Sequence, residues 1–320
     1  MRLASVLTPM SEENLRWASQ CGVSDIVARC PGEELSDLVE VKNRLAEFGL
    51  RLSVLEGGLP IEDIKRGGPR RDEEIAAMKR IVRNMAAAEI PICCYNFMAG
   101  TDWVRTRLDA PERGGALVTR FDIDQVEAAR SLTETADAVG EDRITAGELW
   151  ANLERFLDEV LPVAEPSGVV LAMHPDDPPL DEFLGRARIM NSLEGFRRLV
   201  AYGDSPSNGI CFCQGTFAEM GVDIPAAIAE LGPHIAYVHF RDIRGTCEHF
   251  VETFHDNGPT DMAAAMRAYR QVGFTGPIRP DHVPQLAGEE SGSPGYTMLG
   301  RLFAYGYIRG LMQATEPVEP

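Results

Sequence analysis

The sequence predicts a single eight-stranded β/α barrel, and three observations predict it. Eight short apolar runs alternate with longer segments of helical period, which is typical of parallel strands joined by helical crossovers. No GxGxxG turn follows the first run, although an open doubly wound sheet usually carries one. The length of 320 residues suits one barrel, so we predict a single domain over 1–320.

The strands are predicted where short runs are rich in apolar and β-branched residues and end near turn signals or helical patterns. We predict strands at 3–7, 25–28, 52–55, 90–95, 169–173, 210–213, 235–240 and 277–281.

Helices are predicted in the gaps between these runs. The first two patterns end before Gly22 and Gly49, and glycine is the residue that most often follows a helix. We predict helices at 14–21, 34–48, 72–88, 122–139, 146–164, 192–201, 224–231, 262–272 and 296–312.

The composition narrows the classes of function. A formal charge of −18 and a pI near 4.8 argue against a polyanionic partner, so no nucleic acid is expected. No signal peptide or run of about 20 apolar residues is present, which predicts a cytoplasmic protein without a membrane partner. Seven scattered cysteines fit a reducing compartment. A homo-oligomer is left open.

Four residues with metal-ligand chemistry stand at the ends of the last four predicted strands: His174, Cys213, His239 and Asp281. Active sites of these barrels lie at the C-terminal ends of the strands, so the four side chains are expected to converge. Cys211 is a rival to Cys213 on the same face, but Cys213 is nearer the rim. Two imidazoles, a thiolate and a carboxylate suit zinc, iron(II), cobalt or manganese and do not choose among them.

His282 follows Asp281 directly, and in a regular strand its side chain would face away from that carboxylate. The strand must therefore end at this point if His282 is to bend over the site, and Pro284 makes such an end reasonable. Histidine can move a proton near neutral pH. His282 is thus a candidate for acid–base work.

Seven segments then carry a resemblance to a known family, and HPDDPP (174–179) and YNFM with DW and RT (95–106) are the most specific of their motifs. The segments are LEGGLPIEDIKRGGPRRDEEI (55–75), CCYNFMAGTDWVRTR (93–107), MHPDDPP (173–179), FCQGT (212–216), YVHFRDI (237–243), RPDH (279–282) and PGYTMLGRLFAYGYIRGL (294–311). In sequence and order they resemble the metal-dependent mannonate dehydratases of hexuronate catabolism, which share the xylose-isomerase-like TIM barrel.

The resemblance implies a lyase that removes water from D-mannonate to give 2-keto-3-deoxy-D-gluconate, with a sugar acid as the small-molecule partner and Mn²⁺ as the metal. The family's ligands fall on His174, Cys213, His239 and Asp281, and its catalytic pair on His282 and Tyr296. The sequence departs from the family where DHVPQ replaces DHGR after the last strand, so another aldonate remains an alternative substrate.

Substrate contacts are predicted from polar side chains at or beyond the strands: Asn96, Arg241, Trp103, Arg105 and Glu56, with Arg51 as a further candidate. Asn96 is favoured because its amide both donates and accepts. Residues 244–261, with His249 and His255, are either a lid or an ordinary polar loop, and His234 is expected at the opposite rim.

Two other functions are weighed. A metal-dependent isomerase or epimerase is disfavoured because no lysine stands at a predicted strand end, and a non-catalytic sugar-acid-binding protein is disfavoured because His282 and Tyr296 are both present.

Overall fold

The computed structural model describes residues 1–101, 103–128, 130–131 and 143–316. Its centre is a closed barrel of eight parallel strands, each hydrogen-bonded to its neighbours in chain order, with the last strand pairing with the first. The barrel prediction is therefore confirmed. The strands are β1 (Arg2–Val6), β2 (Asp25–Ala28), β3 (Arg51–Glu56), β4 (Ile92–Tyr95), β5 (Val170–Met173), β6 (Asn208–Cys213), β7 (Ile235–Phe240) and β8 (Pro277–Pro280).

Ten α-helices lie within the described part of the chain. They are α1 (Glu12–Gln20), α2 (Leu35–Ala46), α3 (Glu62–Arg66), α4 (Arg71–Ala87), α5 (Ala146–Ser167), α6 (Leu193–Ala201), α7 (Gln214–Glu219), α8 (Ile224–Leu231), α9 (Met262–Gln271) and α10 (Met298–Ala314). Their boundaries follow local chemistry. For example, Thr145 and Glu148 form a capping box at the start of α5, and Gly168 ends that helix at φ 63°. No described helix has the length and hydropathy needed to span a membrane.

The barrel has two apolar cores, because strand side chains alternate between its faces. The inner core contains small and branched side chains, among them Val27, Val54 and Ala172, together with Cys94 and Cys211. The outer core packs the strands against the helices, with Phe156 of α5 and Phe212 of β6 fully buried there. The alternation thus turns adjacent cysteines in opposite directions, with Cys93 in the outer core and Cys94 in the inner one.

An antiparallel sheet of four strands, which we call the cap sheet, lies beside the C-terminal rim of the barrel. Its strands are Arg107–Pro111, Leu117–Asp122, Ile243–Gly245 and His249–Glu252. Phe121 and Phe250 stack at 5.8 Å between ring centroids and are buried. Residues 244–261 therefore contribute most of a hairpin of this sheet, where the sequence predicted a lid or an ordinary polar loop.

The helix predicted at 122–139 is wrong in its described part. Asp122 ends a cap-sheet strand, Ile123–Ala128 form a 3₁₀ helix, and Arg130–Ser131 pair with Val104–Arg105 as short strands. Tertiary pairing has overridden the helical pattern there. The remainder of that prediction, 129 and 132–139, lies outside the described residues.

At the opposite end of the barrel, Asp25 is fully buried and accepts hydrogen bonds from Arg2 Nε at 3.1 Å and Arg51 Nη2 at 2.9 Å. Arg51 thus lies at the N-terminal rim, so its candidacy for substrate binding is wrong. Burial acts to raise the pKa of Asp25, but hydrogen bonds from Arg51, Ser24 and Ser53 hold this pKa below its usual value.

We expect Asp25→Asn to lower the free energy of unfolding at pH 7 by roughly 2 kcal/mol, because charged hydrogen bonds are lost. Since the folded-state pKa is depressed, the wild-type advantage is present above about pH 4 and disappears as the pH falls further. Urea unfolding of both proteins between pH 7 and pH 3 tests this. An advantage that grew on acidification would contradict it.

Candidate metal centre

The four predicted metal ligands converge at the C-terminal rim. Cys213 and His239 belong to paired positions of β6 and β7, whereas His174 and Asp281 directly follow β5 and β8. The distances are 3.2 Å between His174 Nε2 and His239 Nδ1, 3.6 Å between His239 Nδ1 and Asp281 Oδ2, and 3.7 Å between Cys213 Sγ and Asp281 Oδ2. Ligands that each stand about 2.0–2.3 Å from one ion have this mutual spacing.

The chemistry of the donors also fits a divalent cation. His174 Nδ1 lies 2.6 Å from the carbonyl oxygen of Pro175, so its N–H donates there and the Nε2 lone pair faces the other donors. Burial acts to raise the pKa of Cys213, but Arg241 and His174 hold this pKa well below its usual range. Burial likewise opposes ionisation of Asp281, whereas Arg279 holds the pKa of Asp281 well below its usual value. A thiolate and a carboxylate are the forms that bind metal.

His282 and Tyr296 meet beside these donors. β8 ends at Pro280, and His282 adopts a left-handed backbone with φ 36°, which turns its ring over the site. His282 Nε2 lies 3.2 Å from the Tyr296 hydroxyl. The backbone N–H of Val283 donates to Gly295 O at 2.9 Å, which ties the two segments together. A non-glycine residue at positive φ is uncommon and is often found at functional sites.

The cap sheet supplies the third member of this group, Glu252. Its Oε1 accepts a hydrogen bond from His282 Nδ1 at 2.6 Å, which leaves Nε2 as the ring nitrogen that faces Tyr296. Burial acts to raise the pKa of Glu252, but His282 and Arg105 hold this pKa far below its usual value. The sequence prediction missed Glu252 because it lies in the segment interpreted as a loop or lid.

Arg105 and Arg241 are almost wholly buried and are engaged by carboxylates. Arg105 donates to Asp177 at 2.6 Å and to Glu252 at 2.7 Å. Arg241 donates to Asp177 at 2.9 Å, to Glu219 at 3.0 Å and to Asp281 at 3.0 Å. These pairs connect the proposed ligand Asp281 with the proposed catalytic His282. The geometry favours a positioning role for both arginines over contact with a substrate.

The remaining predicted substrate residues do face a cavity. Glu56 and Trp103 line a space of about 580 Å³ together with Arg29, Arg279 and Tyr296. Glu56, Trp103 and Asn96 also line an adjoining space of about 80 Å³ that reaches His174. Asn96 Oδ1 accepts a hydrogen bond from Lys65 Nζ at 2.9 Å, and Glu56 Oε1 accepts one from Arg279 at 3.2 Å.

Lys65 is a lysine that the sequence prediction did not expect near the site. It lies on α3, in the connection after β3, and its buried Nζ also pairs with Glu62 at 2.6 Å. Its approach from a connecting helix explains why inspection of strand ends did not find it. Of the other histidines, His249 is at the cap sheet beside Asp122, and His234 precedes β7 at the opposite rim. His255 is fully buried, close enough to Asp281 to interact with its charge.

Gly215 in the FCQGT motif leaves the space that Arg241 occupies. A Cβ atom at Gly215 would stand 2.6 Å from Arg241 Cζ, and the buried guanidinium cannot move away without breaking ion pairs. We expect Gly215→Ala to cost about 1–3 kcal/mol of unfolding free energy and to reduce retained metal. Gly306→Ala on α10, where a Cβ meets nothing, should be neutral or stabilising. Denaturation and metal analysis of both variants test this prediction. A Gly215→Ala protein with the stability and metal content of the wild type would contradict it.

Comparison with known proteins gives a consistent result. The family model described as D-mannonate dehydratase (UxuA) matches residues 9–319. The chain is 37% identical to the mannonate dehydratase of Oceanobacillus iheyensis over 297 residues, which covers 86% of this chain and 84% of that protein. It is 34% identical to mannonate dehydratase 2 of Halalkalibacterium halodurans, with 87% and 86% covered.

Solved structures agree. The crystal structure of mannonate dehydratase from Streptococcus suis serotype 2 superposes with a TM-score of 0.89 at 32% identity, over 98% of this chain and 95% of that one. A xylose isomerase domain protein from Planctomyces limnophilus, at 13% identity and a TM-score of 0.62 with 98% and 97% covered, shows the fold alone. The chain belongs to the D-mannonate dehydratase (UxuA) family.

Proposed function

We propose that this chain is a metal-dependent hydro-lyase that converts D-mannonate to 2-keto-3-deoxy-D-gluconate. Family membership supports the reaction class. The observation that carries the proposal for this chain is the contact of His282 Nε2 with the Tyr296 hydroxyl, beside four donor groups at the mouth of one barrel. We place the reaction in hexuronate catabolism and in the cytoplasm, where seven free thiols are expected to stay reduced.

We propose that His174, Cys213, His239 and Asp281 hold the cation, and that this cation is Mn²⁺. When bound, a divalent cation would stabilise negative charge on the substrate carboxylate and so increase the acidity of the hydrogen on C2. Fe²⁺, Co²⁺ and Zn²⁺ suit the same donors, because imidazole and thiolate accept borderline metals.

The proton transfers fall to His282 and Tyr296. Because Nδ1 of His282 donates to Glu252, Nε2 carries the lone pair that takes the C2 proton. The Tyr296 hydroxyl is the proton donor to the C3 hydroxyl, since burial raises the pKa of Tyr296 and keeps it protonated. The C2–H and C3–O bonds break, water leaves, and the resulting enol becomes the 2-keto acid.

Glu56, Asn96 and Trp103 are proposed to contact the sugar hydroxyls, because all three line the cavity spaces at the rim. Arg105 and Arg241 are proposed to orient Glu252 and Asp281 instead. DHVPQ in place of DHGR removes an arginine from the segment after His282, which leaves another aldonate as the alternative substrate.

The test is incubation of metal-free protein with Mn²⁺ and D-mannonate, beside epimeric aldonates as matched substrates. We expect a 2-keto-3-deoxy product, detected with thiobarbiturate and identified by NMR, and a loss of product without metal. Formation of an epimer or a ketose–aldose isomer would favour the isomerase alternative. No product from the whole panel would overturn the dehydratase proposal.

Replacing Cys213 tests the ligand assignment. We expect Cys213→Ser to weaken Mn²⁺ affinity by at least roughly tenfold, since even the loss of a ligand's hydrogen-bond partner costs roughly 10–100-fold. Metal content after dialysis against graded free-metal buffers measures this. Cys21→Ser, a partly exposed thiol beside α1, is the matched control. Wild-type metal affinity in Cys213→Ser would remove Cys213 from the ligand set.

A further inference from the structure

A second group of metal-binding side chains lies within the barrel and has no role in the proposed reaction. Cys94 of β4, Cys211 of β6 and His239 of β7 are each at most 2% exposed, and their donor atoms lie within 4.8 Å of one another. The two thiols are close enough to hydrogen-bond. Cys211 stands two residues before Cys213 on the same strand, so this lower donor set is one layer deeper in the barrel.

His239 belongs to both donor sets. Its Nδ1 faces His174 and Asp281 in the upper set. Its Nε2 stands 3.2 Å from Glu56 Oε1, within hydrogen-bonding reach of that carboxylate. Glu56 is in register with Cys94 across β3 and β4, which places the Cys94 backbone at the same level as Glu56. One imidazole therefore stands between the upper and lower donors.

The two donor sets differ in the softness of their ligand atoms. The upper set has one sulfur, whereas the lower set has two sulfurs and one imidazole, with the carboxylate of Glu56 beside the imidazole. Two thiolates with nitrogen and oxygen donors in a closed, dry environment suit zinc-like ions in tetrahedral coordination. Binding would release the two thiol protons, so the pair of thiolates would neutralise the charge of the cation.

We infer that Cys94, Cys211 and His239, with Glu56 as the fourth donor, form a second metal site for thiophilic cations such as Zn²⁺ and Cd²⁺. Because His239 is shared, the lower site competes with the upper one. Zn²⁺ or Cd²⁺ in the lower site withdraws His239 from the upper ligands and Glu56 from the cavity, so these ions act as inhibitors. The inference concerns metal binding and does not depend on the proposed dehydration.

The direct test uses the wild-type full chain, freed of metal and given one equivalent of Cd²⁺. X-ray absorption then counts the sulfur atoms bound to cadmium. We expect two sulfurs for the lower site. One sulfur, as the upper set would provide, overturns the inference, and this result does not require any variant to fold.

Cysteine variants identify which residues supply the sulfur atoms bound to cadmium. We expect Cys94→Ala and Cys211→Ala each to halve the cadmium–thiolate absorbance and to lower Cd²⁺ affinity by at least tenfold, since even the loss of a ligand's hydrogen-bond partner costs roughly 10–100-fold. Cys93→Ala is the matched control, because Cys93 is equally buried on the same strand but faces the outer core. An unchanged band in Cys94→Ala and Cys211→Ala, with loss of the band in Cys213→Ala, would overturn the lower site.

Discussion

Tyr296→Phe is expected to lower kcat by roughly 10²–10⁴-fold and to leave metal content unchanged, because it removes one proton donor and no ligand. The ring of Tyr296 packs edge-on against His282 at 5.4 Å between centroids, and phenylalanine keeps this packing. The expected loss is therefore chemical and not structural. Steady-state kinetics with metal analysis of the same sample measures both quantities.

Tyr305→Phe is the matched control for this prediction. Tyr305 is also buried and its hydroxyl bonds to Ser5, away from the metal centre. Its replacement should cost about 1 kcal/mol of unfolding free energy and leave kcat unchanged. If Tyr296→Phe kept full activity, the hydroxyl of Tyr296 would have no part in the reaction.

Exchange of the C2 hydrogen with solvent deuterium separates the two proton roles. With Tyr296→Phe, removal of the C2 proton by His282 should continue while water loss is slow, so C2 should exchange without forming product. With His282→Asn, both the exchange at C2 and the formation of product should stop. The reverse pattern would assign proton removal to Tyr296.

The ends of the barrel strands were predictable because of two regularities. Alternating apolar runs and helical segments predict the barrel, and the chemistry of such barrels lies at one rim. His174, Cys213, His239 and Asp281 could therefore be selected before any distance was known. The distances of 3.2–3.7 Å between their donor atoms are consistent with that selection.

The cap sheet could not be predicted in the same way. Its strands are only three to six residues long, and its two local hairpins are joined by a pairing between segments more than 100 residues apart, as His249 with Asp122. No local sequence pattern predicts that long-range pairing. Glu252 becomes a partner of His282 only through this pairing. The same holds for the left-handed backbone of His282, which depends on contacts of the whole rim.

The arginines show a second limit of sequence reasoning. Charged side chains near strand ends were interpreted as substrate ligands, because the sequence does not show whether a side chain is buried or which residues it contacts. In the structure Arg105 is fully buried, with Asp177 and Glu252 as its partners, and its guanidinium stacks on Phe250 at 4.8 Å. A buried cation with two carboxylates has little capacity left for a sugar acid.

Arg105→Met is expected to lower the free energy of unfolding by about 3–5 kcal/mol, because Asp177 and Glu252 lose a cation in a buried environment. The loss of Arg105 also releases Glu252, so kcat should fall while KM for the sugar acid changes little. If Arg105 instead binds the substrate, KM should rise with unfolding nearly unchanged. Denaturant unfolding and steady-state kinetics distinguish these outcomes.

Two comparisons make this prediction specific to the buried pairs. Arg107→Met removes an exposed arginine of the cap sheet that pairs with exposed Asp109, and we expect no measurable destabilisation because water already screens such a pair. Adding Asp177→Asn to Arg105→Met should recover part of the lost stability, since it removes a carboxylate that has lost one of its two arginines. If the stability loss of the double variant equalled the sum of the losses of Arg105→Met and Asp177→Asn, the two residues would not act through each other, because independent sites give additive free energies.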